Sequence, residues 1–158
     1  MTDHAALVEI LMKIPGLTGY PAWQLQVLAD LTTMQNLTED QLVYCEDAQE
    51  QDIYFLLSGL VETRMRLPAA DGAEATIRTI RPGEFFGETA FFDHGRRMSS
   101  AIAREHSLVI RFDATALEVA CTDDPSLGLV LYRTLGRIMA ARYRDTSIEL
   151  RNMLRGGF

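Results

Sequence analysis

The sequence predicts an α+β fold: a small antiparallel β-barrel or jelly roll, flanked by N-terminal helices and a long C-terminal helix. Three observations carry this expectation. Apolar residues recur at helical spacing over the first thirty or so positions. The pattern then changes to short apolar or alternating runs separated by turn residues. Helical spacing finally returns and continues almost to the end. A chain of 158 residues suits one domain with one core. Residues 1–158 are therefore read as a single unit, with helices over 4–32, a barrel over 41–112 and C-terminal helices over 114–154.

The elements follow in order. Ala5, Leu7, Val8, Leu11, Met12 and Ile14 share a helical face, and Pro15-Gly16 ends that helix. A second helix is expected from Pro21 to Thr32, on Trp23, Leu25, Val27, Leu28 and Leu31. Strands are expected at 42–45, at 53–57 closed by Ser58-Gly59, and at 60–67, where Glu62, Arg64 and Arg66 alternate with apolar or β-branched neighbours. The loop Pro68-Ala69-Ala70-Asp71-Gly72 carries an Asp-Gly pair suited to a hairpin turn. Further strands are expected at 76–80, 99–103 and 107–112, with a turn at 81–84. Asp113 reads as the N-cap of a short helix over 114–121. Asp124-Pro125 reads as an N-cap with proline at the first helical position. That last helix can run from Pro125 to Leu154, roughly 45 Å at about 1.5 Å per residue. Positions 127, 131, 134, 138, 141, 145, 148 and 152 trace half of a heptad seam, apolar at its start and polar later. The seam suits either a homodimer or packing on the chain's own barrel.

Net charge is −7, unevenly spread. From Pro125 onward six arginines face only Asp145 and Glu149. The acidic remainder argues against non-specific nucleic-acid binding. The basic helix offers a surface to an acidic partner, or is simply a solvated face. No apolar run approaches the roughly 20 residues of a membrane span, and the polar N-terminus does not resemble a secretory signal. Cys45 and Cys121 fit no metal spacing and suit reduced thiols, so a cytoplasmic location is expected. His4, His94 and His106 form no ligand cluster and no Gly-x-Ser-x-Gly appears. An enzyme is not expected.

Residues 82–103 carry the chemistry. Gly87 suits a close backbone approach, and Glu88 follows at once. Thr89 to Phe92 can form one helical turn. Nine residues after the glutamate comes Arg97, whose planar guanidinium can grip two oxygens of one phosphate. A glutamate accepts a hydrogen bond from a sugar hydroxyl. The segment thus offers an acceptor for a ribose and donors for a phosphate. Alternatively, Glu88 and Arg97 pair with each other over an empty pocket.

Phe86-Gly87-Glu88, Thr89-Ala90-Phe91, then Arg97, Met98-Ser99 and Ser100 resemble the phosphate-binding cassette of the cyclic nucleotide-binding domain family. Tyr54 to Val61 resembles the family's strand-turn-strand signature, Ile14-Pro15-Gly16-Leu17 its N-terminal motif, and Asp124-Pro125 the start of its long helix. The resemblance covers about residues 7 to 150. It implies a ligand-binding set of Phe86, Gly87, Glu88, Thr89, Ala90, Arg97, Met98, Ser99 and Ser100. Glu88 would hold the ribose 2′-hydroxyl and Arg97 the cyclic phosphate. Backbone amides near Thr89, Ala90, Met98 and Ser99 would assist, with hydroxyls from Ser99 and Ser100.

The chain departs from the pattern at Thr89, at Met98, and at Asp47-Ala48-Gln49-Glu50, which sets an acid near the barrel's open end. With Arg96 adjacent, a shifted register would put Arg96 or Met98 at the phosphate instead. Met98 cannot donate the hydrogen bond that often accompanies cGMP, so cAMP is the expected ligand. Thr146-Ser147 is either a pair touching adenine or two ordinary exposed helix residues. The resemblance implies a non-catalytic cyclic nucleotide sensor, without cofactor, that signals through its C-terminal helix to an unidentified protein partner. A degenerate pocket serving interaction or dimerisation is the alternative, as is the sensor half of a transcription regulator. Only Arg155-Gly156-Gly157-Phe158 follow the helix, so DNA binding by the family's usual recognition helix is not expected.

Overall fold

A computed structural model describes residues 4–68 and 72–155. The Asp-Gly hairpin turn expected at 69–72 and the two chain ends fall partly or wholly outside them. Helices α1 (His4–Lys13) and α2 (Ala22–Asp30) lead into strands β1 (Thr32–Leu37), β2 (Leu42–Tyr44), β3 (Ile53–Ser58), β4 (Val61–Arg66), β5 (Glu74–Ile80) and β6 (Phe85–Phe86). Helix α3 (Glu88–Asp93), strands β7 (Ser100–Ala103) and β8 (Ser107–Phe112), and helices α4 (Ala114–Asp123) and α5 (Pro125–Arg155) complete the order. The strands form two antiparallel sheets, β1-β8-β3-β6 and β2-β7-β4-β5. The α+β jelly roll with flanking helices expected from the sequence is the architecture found.

The apolar pattern of β3 reflects two cores. Tyr54 and Leu56 join Val61, Phe86, Ala101, Ala103 and Val109 between the sheets. Ile53 and Phe55 point the other way, into a cluster with Phe85, Ile110 and Phe112 that receives the helices through Leu11, Leu28, Leu117, Leu127 and Leu131. A strand buried on both faces loses polar alternation, whereas β4 keeps it because one face is partly open. Polar ties lock the helices together. Gln24 Nε2 donates to Asp124 Oδ2 at 2.7 Å and Ser126 Oγ at 2.8 Å, and Thr134 Oγ1 donates to the Gly16 carbonyl at 2.9 Å. The Asp113 carboxylate caps α4 through Ala116 N–H at 2.9 Å, and Pro125 opens α5.

Two expectations need correction. The barrel begins at Thr32 rather than near 41: β1 takes the last residue of the expected second helix and part of the stretch after it, for which the sequence predicts no element. Its sequence, TTMQNL, has no clear apolar period, and its strand state is fixed by pairing along β8 from Thr32↔Phe112 to Leu37↔Ser107. The segment 85–86, read only as part of the cassette, is strand β6 against β3. Of the two destinations left open for the seam on the last helix, the chain's own core takes its start. Leu127 and Leu131 are buried in the chain's own core, Ile138 packs against it, and Thr134 bonds Gly16.

Gly59 closes the β3–β4 turn at φ +94°, and a Cβ there would stand 2.6 Å from the Ser107 Cα. Gly59→Ala must therefore strain the backbone and push β8 aside. A loss of about 2–4 kcal/mol is expected in urea unfolding; a change under about 0.5 kcal/mol would show that the turn adapts freely.

Candidate functional site

At the mouth of the barrel, β6, α3 and the loop before β7 enclose a cavity of about 160 Å3. Phe86, Gly87, Glu88, Thr89, Ala90, Arg97, Met98 and Ser99 all line it, so the fold gathers the cassette residues named from sequence. Ser100 is the exception. Its hydroxyl lies on β7 and accepts from Glu46 N–H at 2.9 Å, bracing the β2–β3 loop. Gly87 sits at φ +79°, where a Cβ would meet Arg97 Nη1 at 2.9 Å and the Asp52 carbonyl at 3.1 Å. Both conformation and proximity require glycine.

Burial distinguishes the two adjacent arginines. Arg97 is inside, its side chain 2% exposed, while Arg96 is exposed and donates to the Asp47 carbonyl at 3.0 Å. Met98 is 61% exposed and does not replace the arginine. Arg97 Nη1 donates to the Gly87 carbonyl at 2.6 Å and Nη2 to the Asp52 carbonyl at 2.7 Å. Its Nε donates to Glu50 Oε2 at 3.0 Å, and Nη2 contacts the same oxygen. The guanidinium carbon lies 4.1 Å from the Tyr44 ring centroid, a cation–π contact. Tyr44, Tyr54 and Phe86 form the aromatic floor, Tyr54 and Phe86 stacked at 5.3 Å. Burial pushes the Tyr44 phenol well above its ordinary value, with the Arg97 charge opposing, and raises Tyr54 to about 12.

Glu88 does not pair with Arg97. Its side chain is 4% exposed, and Oε1 is bound by Arg142 Nη1 from α5, 54 residues away; Arg142 Nη2 also donates to the Phe85 carbonyl. Glu88 Oε2 is buried and has no partner among the described residues. Arg142 was not singled out from the sequence. It reads there as one of six arginines on a solvated helix, and only the docking of α5 on the barrel mouth reveals it. Arg78 on β5 also lines the cavity; its Nη2 donates to Glu84 Oε1 at 2.7 Å while its Nε is buried and unpartnered. Burial acts against ionisation of Glu84, but bonds from Arg81 N–H and Arg78 outweigh it and hold its carboxyl below the usual range. Thr146 and Ser147 are exposed, one helical turn beyond Arg142. Among the described residues no group of three or more His, Cys, Asp or Glu side chains could hold a metal ion.

The cavity thus sets a buried carboxylate oxygen and three arginines, Arg78, Arg97 and Arg142, on a jelly roll capped by a helix. Comparison with known proteins gives this arrangement its family. The profile described as "Cyclic nucleotide-binding domain" matches residues 34–124, and the chain belongs to this family. It is 31% identical over 112 residues to the CRP-like cAMP-activated global transcriptional regulator of Mycobacterium tuberculosis, covering 71% of this chain and 47% of that protein. It is 34% identical over 103 residues to the cyclic AMP receptor protein of Thermus thermophilus, covering 63% and 44%. The chain spans about half the length of these relatives. A cyclic nucleotide-binding domain from Methylobacillus flagellatus superposes with a TM-score of 0.81 at 19% identity, covering 95% of this chain and 83% of that one. No helix among the described residues is long and apolar enough to cross a membrane.

Removing Arg142 leaves Glu88 as a buried, uncompensated charge, which costs about 3 kcal/mol in comparable pairs. Arg142→Ala is expected to lower unfolding free energy by about 2–3 kcal/mol, and a double-mutant cycle with Glu88→Gln should give a coupling above about 1 kcal/mol. Additive losses would show that the contact carries no net energy.

Proposed function

We propose that the chain is a non-catalytic cyclic nucleotide sensor, with cAMP its ligand. The single observation that carries this reading is the Glu88 carboxylate. One oxygen is held by Arg142 and the other is buried, unpartnered, in the cavity that also holds Arg97. A buried acceptor left unsatisfied costs about 1–3 kcal/mol, and a ribose 2′-hydroxyl donates to it while the cyclic phosphate meets Arg97. Amides near Thr89, Ala90 and Ser99 add donors. Exposed Met98 offers no hydroxyl to a guanine, which favours adenine. The relatives whose names include cAMP support the same choice.

The helix α5 is the natural output. It touches the site at two places: Arg142 on Glu88, and Tyr132, whose ring stacks on Phe91 of α3 at 5.7 Å and meets Phe92 edge-on at 5.6 Å. A ligand that engages Glu88 and reshapes α3 changes both contacts, and so biases where α5 sits. Leu129, Tyr132, Gly136, Met139, Tyr143, Thr146, Leu150 and Met153 recur at three- and four-residue spacing and none is buried. This seam, offset from the internal one, suits a parallel homodimer. A second reading rests on Arg97 already having a carboxylate partner in Glu50: a pocket satisfied by protein alone, serving as an interaction module.

Thermal-shift titration separates the two. cAMP at about 100 times its Kd should add about 2.7 kcal/mol of stability. Arg97→Ala should weaken binding at least tenfold, and 2′-deoxy-cAMP should bind at least tenfold more weakly than cAMP. Unchanged affinity in Arg97→Ala removes that residue from the phosphate site. No shift with cAMP, cGMP or cyclic di-GMP favours the second reading. Tyr143→Glu is expected to convert a dimer into a monomer in sedimentation; a wild-type monomer at high concentration would remove the seam from the proposal.

A further inference from the structure

The hydrogen-bonding capacity of Arg97 is nearly exhausted within the chain. A guanidinium carries five N–H groups. The Gly87 carbonyl, the Asp52 carbonyl and two contacts to Glu50 Oε2 account for four of them. Tyr44 covers one face. The Nε–Nη2 edge, which could grip two oxygens of one anion, is held by Glu50.

The partners differ in kind. Two are backbone carbonyls, of Asp52 just before β3 and of Gly87 just before α3. Glu50 is a side chain on the β2–β3 loop, 39% exposed, and among the described residues its carboxylate bonds only Arg97. The loop itself cannot drift away. Asp47 N–H donates to the Arg97 carbonyl and Arg97 N–H to the Ala48 carbonyl, both at 2.9 Å. Glu50 is therefore tethered beside Arg97 at high effective concentration, free to rotate toward solvent but never far from returning.

We infer that Glu50 is an internal rival of the ligand phosphate, and that it sets the affinity of the site. This rests on the cyclic nucleotide reading above. A cyclic phosphate gains the Nε–Nη2 edge only when Glu50 leaves it, because two anions cannot share that edge without repulsion. Each binding event displaces a carboxylate that is already in place, so only a ligand that contributes elsewhere, at Glu88 and along α5, holds the site. A free anion competes with Glu50 on charge alone. The opposite role would be a carboxylate that orients Arg97 toward the phosphate. The two roles predict opposite signs on removal: a rival's loss tightens binding and an orienter's loss weakens it.

The test uses the full chain as wild type, Glu50→Gln and Glu50→Ala, with calorimetric titration of cAMP and ligand-free melting curves. Both variants are expected to bind cAMP at least tenfold more tightly than wild type. Glu50→Ala is expected to melt lower without ligand, since buried Arg97 loses its counter-charge, and to show the larger ligand-induced rise. Equal or weaker binding by folded variants, with wild type binding normally, overturns the rivalry and leaves the nucleotide reading intact. Binding by the variants but not by wild type supports both. Silence in all three overturns both, because an Arg97 released from its carboxylate has no remaining reason to refuse a phosphate. Should Glu50→Ala not fold, the near-isosteric Glu50→Gln decides alone.

Discussion

Two opposite charges lie buried at the barrel mouth, and each must be neutralised. A lone ion moved from water into a protein interior is penalised by several kcal/mol. Arg97 meets this with Glu50, two carbonyls and an aromatic face. Glu88 meets it with Arg142. The cassette, the β2–β3 loop and the last helix are positioned by that requirement. Glu88 and Arg97 line the same cavity, yet each is paired with a residue far off in sequence. Keeping the two apart leaves space between them for a ligand.

The same constraint joins the site to the rest of the molecule. Arg142 is carried by a 31-residue helix whose start is buried in the helical core through Leu127, Leu131 and Leu135. Gln24 on α2 fastens its N-terminal cap, and Thr134 fastens it to the turn after α1. Beyond Met139 the helix is anchored to the barrel through Arg142, and its remaining residues are exposed. Asp52 adds a second line of contact. Its carbonyl accepts from Arg97, while its carboxylate binds Arg111 and accepts from Ala114 N–H, at the start of α4, at 2.9 Å.

How much of this was legible depends on how local the signal was. The α4 cap at Asp113, the start of α5 at Pro125 and the glycine of the cassette each need only neighbouring residues, and each sits as expected. The strand β3 announces itself through an unbroken apolar run because both faces are buried. The strand β1 does not: Thr32, Thr33, Gln35 and Asn36 make a polar stretch whose identity comes from six cross-strand partners on β8. The heptad reading of α5 found a genuine periodicity but not its destination. One stripe of the helix serves the chain's own core and an adjacent one is left outside, and spacing alone cannot assign stripes to partners.

The sequence by itself determined the flanking helices, most of the strands, the α+β class and the stretch expected to form the site. Those follow from apolar periods, turn residues and the glycine-acid-arginine spacing, all short-range properties. Only the tertiary structure decided which charge faces which. Arg97 rather than Arg96 turns inward, Glu50 rather than Glu88 binds it, and Arg142 crosses from α5 to Glu88. Electrostatic pairing depends on distance in space and on exclusion of water, and neither is written in the separation of residues along the chain.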